Sequence, residues 1–120
     1  MDIAAINDHI AHLTEIEKLA VEYWLKEGSA TFQVEQMAAA RLHGTHDASG
    51  VFAVEAERLF GPNYPAFWKL DGQLFDRATG GSFEQPERAA EPVLAISVMQ
   101  VCAELRALLR QQRRRMYWWH

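Results

Sequence analysis

The sequence predicts a mainly α-helical protein, a compact helical domain of about four helices. Two observations support this fold class. Apolar residues recur every three or four positions near both ends of the chain, and glycines follow several of these stretches where a helix would end. The 120 residues, of which 49% are hydrophobic, are enough to form one buried core. We therefore expect residues 1–120 to form a single helical domain.

The first predicted helix covers residues 3–27. Asp2 is suited to cap its start, and Gly28 can adopt the left-handed conformation that ends a helix. Glu17 interrupts the apolar stripe, which must be buried against another element. The stripe consists of Ile3, Ile6, Ile10, Leu13, Ala20 and Trp24.

Two shorter helices are predicted over residues 32–43 and 51–60. The first contains strong helix formers and is followed by Gly44, and the second is ended by Gly61 and Pro62. Because both are short, their stability must come from tertiary packing.

Residues 67–76 allow two interpretations. Asp71 and Gly72 separate two aromatic and apolar segments, which is typical of a small β-hairpin, and we predict this hairpin. The alternative is a helix that begins near Pro65 and carries Gly72 as an unfavourable interior residue. Residues 78–91 lack periodicity and are predicted to form a mobile loop.

The last predicted helix begins at Pro92, a residue suited to the first helical turn. Its first half is apolar on nearly all sides, so the helix is expected to be buried centrally or shared with another subunit. We predict a homodimer through its seam, although such a seam can also close within one chain. The predicted dimer seam is Leu94, Val98, Val101, Leu105 and Leu108.

The carboxyl end is the most unusual feature of the sequence. Residues 105–120 contain five arginines and no acidic residue, in a chain of net charge −4. Three large aromatic residues follow, and burying each is worth on the order of 2 kcal/mol. They are expected to pack on the chain's own core, on a partner protein, or on the bases of single-stranded nucleic acid. The predicted partner-binding residues are Arg110, Arg113, Arg114, Tyr117, Trp118 and Trp119.

No set of residues in the sequence predicts catalysis, so an enzyme is not expected. Cys102 is the single cysteine and lies in an apolar stretch, which excludes an internal disulfide and makes a reactive thiolate unfavourable. A zinc site is a weaker alternative, since histidines occur in two pairs with a spacing of three residues. These residues are His9, His12, His43 and His46. We predict neither a metal nor another cofactor.

Together these features predict a small cytoplasmic protein that binds another protein. One version of this hypothesis is a bacterial or phage antagonist that covers a subunit interface of a transcriptional regulator. The first alternative is a nucleic-acid-binding protein that uses the arginine-rich carboxyl end, and the second is a histidine-liganded metal enzyme. No membrane association is expected, because the longest nearly apolar run, residues 92–99, is too short to cross a bilayer and the acidic amino terminus lacks the features of a secretory signal.

Overall fold

The computed structural model describes residues 2–25, 40, 44, 50–79 and 89–119. Four α-helices lie in these residues: α1 (Asp2–Leu25), α2 (Gly50–Phe60), α3 (Tyr64–Ala78) and α4 (Pro92–Trp119). A 3₁₀ turn, Gly61–Asn63, joins α2 to α3. The described residues contain no β-strand, so the prediction of a mainly helical fold is confirmed.

The two long helices, α1 and α4, run antiparallel along most of their length. At one end, the backbone N–H of Glu91, just before α4, donates to the carbonyl oxygen of Trp24 at 2.7 Å. At the other end, Arg113 donates to Oδ1 of Asn7 at 2.7 Å. Higher residue numbers on α4 therefore meet lower numbers on α1.

The shorter helices complete the bundle, since α3 packs on another side of α4 and α2 packs on α3. The indole Nε1 of Trp24 donates to the carbonyl oxygen of Ala78 at 2.9 Å, which joins the ends of α1 and α3. Near the other end of α4, Nε2 of Gln112 donates to the carbonyl oxygen of Leu59 at 2.7 Å. This bond satisfies one of the carbonyl groups that the end of α2 leaves without a partner in the helix.

One hydrophobic core joins the four helices. The largest fully buried side chains come from α1, α2, α3 and α4: Trp24, Phe60, Ile6, Leu13, Ile16, Leu74, Leu105, Leu109, Val98 and Cys102. The apolar stripes predicted for the first and last helices supply half of this set, as their three-four spacing requires.

Three of the predicted helices agree with the structure. The first occupies Asp2–Leu25, the third occupies Gly50–Phe60, and the last begins at Pro92 as expected. Gly61, predicted to end the helix over 51–60, has a φ of 53°, a left-handed conformation that glycine adopts readily at helix ends. The helix predicted over 32–43 lies outside the described residues apart from Ala40, and residues 80–88 of the predicted mobile loop also lie outside them.

The β-hairpin predicted over residues 67–76 is wrong, because this segment belongs to helix α3. The helix buries Phe67, Leu74 and Ala78 on one side, whereas a hairpin pairs Trp68 with Phe75. Burial of Phe67 and Leu74 contributes roughly 1.5–3 kcal/mol each, which exceeds the cost of about 1 kcal/mol for a glycine inside a helix. That glycine, Gly72, is exposed and faces open space. Tertiary burial therefore outweighs the local turn signal.

Cys102 is buried in α4, and its surroundings change its acidity. The pKa of its thiol is raised from 9.0 to about 12, chiefly by burial and to a lesser extent by the negative charge of Glu17, while the positive charge of Arg106 lowers it. Because the raised pKa belongs to the folded state, the protonated thiol contributes stability that is fully present below pH 9.0 and is lost as the pH rises toward 12.

We expect the thiol of Cys102 to resist Ellman's reagent in the folded protein at about pH 8, because only the thiolate attacks and the side chain is inaccessible. The reaction is expected to reach one equivalent after unfolding in guanidinium chloride, since the chain has one cysteine. Native protein that reacts as fast as its unfolded form would contradict this placement of Cys102.

The length of α4 also bears on membrane association. In the part of the chain that the structure describes, one helix, Pro92–Tyr117, is long and apolar enough by length and composition to cross a bilayer. The expectation from the sequence considered only the run over 92–99, and it stays a prediction. The core helix of a soluble protein passes the same test, so this finding is weak evidence for a membrane span.

Candidate functional site

Two of the five carboxyl-terminal arginines hold α4 against α1. The guanidinium of Arg106 donates to the carboxylate oxygens of Glu17 at 3.1 and 3.2 Å, and both side chains are mostly buried. Arg113, seven residues later and therefore on nearly the same side of the helix, contacts Asn7. The Glu17 that interrupts the apolar stripe of α1 thus has an ionic partner on α4. Arg113, predicted to bind a partner, makes this bond within the chain, and its partner-binding role stays a prediction.

The other three arginines and one tyrosine at this end of α4 are exposed. We name this surface the basic tip, and it consists of Arg110, Arg114, Arg115 and Tyr117. Tyr117 is 67% exposed, while its neighbour Met116 is buried in the core. The structure therefore docks part of the terminus on the chain itself and leaves the basic tip accessible. Trp118 and Trp119 belong to α4, but their side chains lie outside the described part of the structure.

The predicted dimer seam lies inside the chain. Val98, Val101 and Leu105 are buried in the core, and Leu94 and Leu108 are partly buried against it. The seam was correctly predicted as a buried helix face, but it closes against helices of the same chain. A second copy cannot use Val98, Val101 or Leu105 unless the core opens.

An open groove lies between α3 and α4, with a volume of about 490 Å³. Leu70 of α3 and Ala107 and Leu108 of α4 provide its apolar part. Its polar lining comes from Glu104, Gln111 and Arg114. We call this feature the α3–α4 groove. Arg115 lies seven residues after Leu108, so it continues the line of this apolar residue toward the end of α4.

The sequence interpretation missed this groove because its α3 wall was assigned to a hairpin. The spacing of Phe67, Leu70 and Leu74 contained the relevant signal, since residues three and seven apart share one helix face. Once this segment is assigned as a helix, Leu70 lies at the edge of the buried face of α3. A groove between α3 and a neighbouring helix begins at such an edge.

The histidines of the alternative metal site are only partly described. His9 is buried on α1, and its ring stacks on Phe52 with centroids 4.2 Å apart. His12 is partly exposed on the same helix, and His43 and His46 lie outside the described residues. Within the described ranges, no three His, Cys, Asp or Glu side chains are grouped so that they could hold a metal ion. The structure thus gives His9 a packing role in an aromatic cluster.

The geometry places an apolar groove beside a cationic helix end, and comparison with known proteins adds no functional information. No protein-family model, curated protein or solved structure matches this chain.

Proposed function

We propose that this protein binds another protein and takes one amphipathic helix of its partner into the α3–α4 groove. The observation that supports this proposal most directly is the open groove itself, which is lined by the partly buried Leu70 and Leu108 and the exposed Ala107 of two neighbouring helices. A helix that lays its apolar face into such a groove is a common mode of recognition.

The charges around the groove define the chemistry of the partner helix. Arg114 lines the groove and Arg115 is exposed just beyond it, while Glu104 lies further toward the middle of α4. The complementary partner helix has acidic residues opposite Arg114 and Arg115 and a basic residue opposite Glu104. Arginine and tyrosine are also enriched among the residues that dominate binding energy, and both occur in the basic tip.

The biological role that fits this surface is that of a regulator. By occupying the helix that a partner uses for its own assembly, the protein would act as an antagonist of that assembly. This role follows the hypothesis drawn from the sequence, and the groove supplies the surface that it requires.

The experiment compares two variants that each replace an apolar residue with glutamate. Leu70→Glu puts a charge into the groove, whereas Val54→Glu places the same charge on α2 at a side chain that is 82% exposed. We expect proteins captured from the native host to be lost with Leu70→Glu and retained with Val54→Glu. For a captured partner, calorimetric titration should show an affinity at least about tenfold weaker for Leu70→Glu, since ~1.4 kcal/mol changes Kd tenfold.

Thermal unfolding of both variants controls for stability, because Leu70 is partly buried. A Leu70→Glu variant that remains folded and binds the captured partner with wild-type affinity would eliminate the groove as the binding site. Arg115→Glu provides a second test at an exposed residue, and it should weaken binding in a salt-dependent manner.

Nucleic-acid binding is the second candidate, and the exposed basic tip favours it. Arg110, Arg114 and Arg115 can contact phosphates, and Tyr117 can stack on a base. A gel shift with single-stranded and duplex probes at low salt tests this function directly. Binding that persists when these three arginines become glutamine would exclude the basic tip as its source.

A further inference from the structure

The exposed side of α4 changes from apolar to basic along the length of the helix. Ile96, Ala103, Arg110 and Tyr117 are each seven residues apart, so they follow one line along the helix, and all four are exposed. Ile96 is 54% exposed although it is a large apolar residue. This line begins apolar, passes over a small residue and ends at the basic tip. It faces away from the buried seam.

The exposed side of α1 carries the opposite charge. Asp8, Glu15 and Glu22 are also seven residues apart and exposed, with Lys18 between them. The end of this helix has an exposed apolar side chain, Leu25. The outer faces of α1 and α4 together form one surface that is acidic on one helix and basic at the end of the other.

Contacts within the chain determine which residues of the two helices lie at the same height. Because the two helices are antiparallel, the bond between Arg113 and Asn7 places Asp8 level with Gln112, two residues or about 3 Å along the axis from Arg114 and within reach of its long side chain. The bond between Glu91 and Trp24 places Leu25 near the first turns of α4, where Ile96 lies. These heights constrain how two copies can pair.

A two-fold axis parallel to the helices keeps every residue at its height and lays α1 of one copy on α4 of the other. Asp8 then faces Arg114 of the second copy, and Leu25 faces the apolar start of its α4. Ala11 and Ala107, both exposed, lie between these contacts and allow the helices to approach closely. A two-fold axis perpendicular to the helices instead places the acidic face of α1 on itself, which repels.

We infer that a second copy of this chain covers the outer face of α1 and α4, with Asp8 of each copy paired to Arg114 of the other. This dimer uses the side of α4 opposite the predicted seam, so it leaves the hydrophobic core closed. It goes beyond the proposed function because it adds a surface for self-association; Ala107 and Arg114 belong to both this surface and the α3–α4 groove, whereas Leu70 belongs only to the groove.

Sedimentation velocity over about 1–200 µM protein at low salt tests this inference by charge reversal. Asp8→Arg and Arg114→Glu each create like-charge contacts at two symmetric positions, and we expect each to weaken dimerisation at least about tenfold. The double variant again pairs opposite charges, with the two signs exchanged between α1 and α4. The Kd of its dimer should return to within about threefold of the wild-type value. Lys69→Glu, at an exposed position on α3, is the control and should leave the dimer unchanged.

Three outcomes would overturn the inference: a wild-type protein that is monomeric throughout this range, single variants that dimerise like the wild type, or a double variant no better than the single ones. Asp8→Arg and Leu70→Glu separate the two proposals. Asp8→Arg should weaken the dimer at least about tenfold and leave partner capture through Leu70 intact, whereas Leu70→Glu should weaken partner capture and leave the dimer intact. All of the charge-reversed side chains are exposed, and circular dichroism confirms that each variant remains helical.

Discussion

Replacing Trp24 with alanine is expected to lower the free energy of unfolding by about 3–5 kcal/mol. Trp24 is completely buried at the end of α1, and its indole donates a hydrogen bond to the last residue of α3. Its own carbonyl oxygen accepts the bond from Glu91 that leads into α4. Loss of the side chain leaves a cavity where three helices meet. Urea unfolding followed by circular dichroism measures the change.

Two further variants separate the causes of this loss. Trp24→Phe keeps most of the buried volume but removes the donor to Ala78, and we expect it to cost about 1–2 kcal/mol. Trp68→Ala removes a tryptophan that is 68% exposed, and its effect should stay within about 0.5 kcal/mol. A Trp24→Ala variant no less stable than Trp68→Ala would contradict the central position of Trp24.

The long helices could be predicted because their signal is repeated along many turns. Each apolar position in α1 and α4 supports the same period, so one exception such as Glu17 does not alter the prediction. The reason for that exception could not be predicted, since its partner Arg106 is 89 residues away in the chain. Periodicity shows that a face is buried, but it does not show which other face covers it. The same limit explains why a seam used within the chain was assigned to a dimer.

The carboxyl-terminal site could be predicted in outline but not residue by residue. The sequence shows that arginines cluster there, and the structure divides them by their position around α4. Arg106 and Arg113 lie on the side that meets α1, while Arg110 and Arg114 lie further around the helix. This division depends on how α1 docks, which is a tertiary property. The α3–α4 groove depends in addition on the helical state of α3.

Residues 67–76 show how a local signal can fail. The pair Asp71 and Gly72 favours a tight turn, and nothing nearby in the sequence opposes it. The alternative helix gains from contacts with α1 and α4, which lie far away in the chain, and with α2, which precedes it by one short turn. Phe67 is at the centre of these contacts and is therefore the residue that best tests the helical assignment.

Replacing Phe67 with alanine is expected to cost about 3–5 kcal/mol of folding stability. Phe67 is 2% exposed, and its ring lies among three aromatic rings from two other helices, α1 and α2. The distances between ring centroids are 5.0 Å to Phe60, 5.5 Å to Phe52 and 5.9 Å to His9. Removal of the Phe67 ring leaves a cavity that borders α1, α2 and α3. Movement of a single helix cannot close this cavity, so most of the lost stability is not regained.

The control for Phe67 is Phe75, a phenylalanine on the same helix that is 37% exposed. Phe67→Leu keeps an apolar side chain in the cluster and should cost about 1–2 kcal/mol, and Phe75→Ala should cost about 1 kcal/mol. In helix α3, Phe67 and Phe75 face different directions, so the two alanine variants should differ by at least about 2 kcal/mol. In a hairpin, Phe75 would pair with Trp68 across the strands. Equal losses for Phe67→Ala and Phe75→Ala in denaturant titration would therefore contradict both the helical assignment and the α3–α4 groove that rests on it.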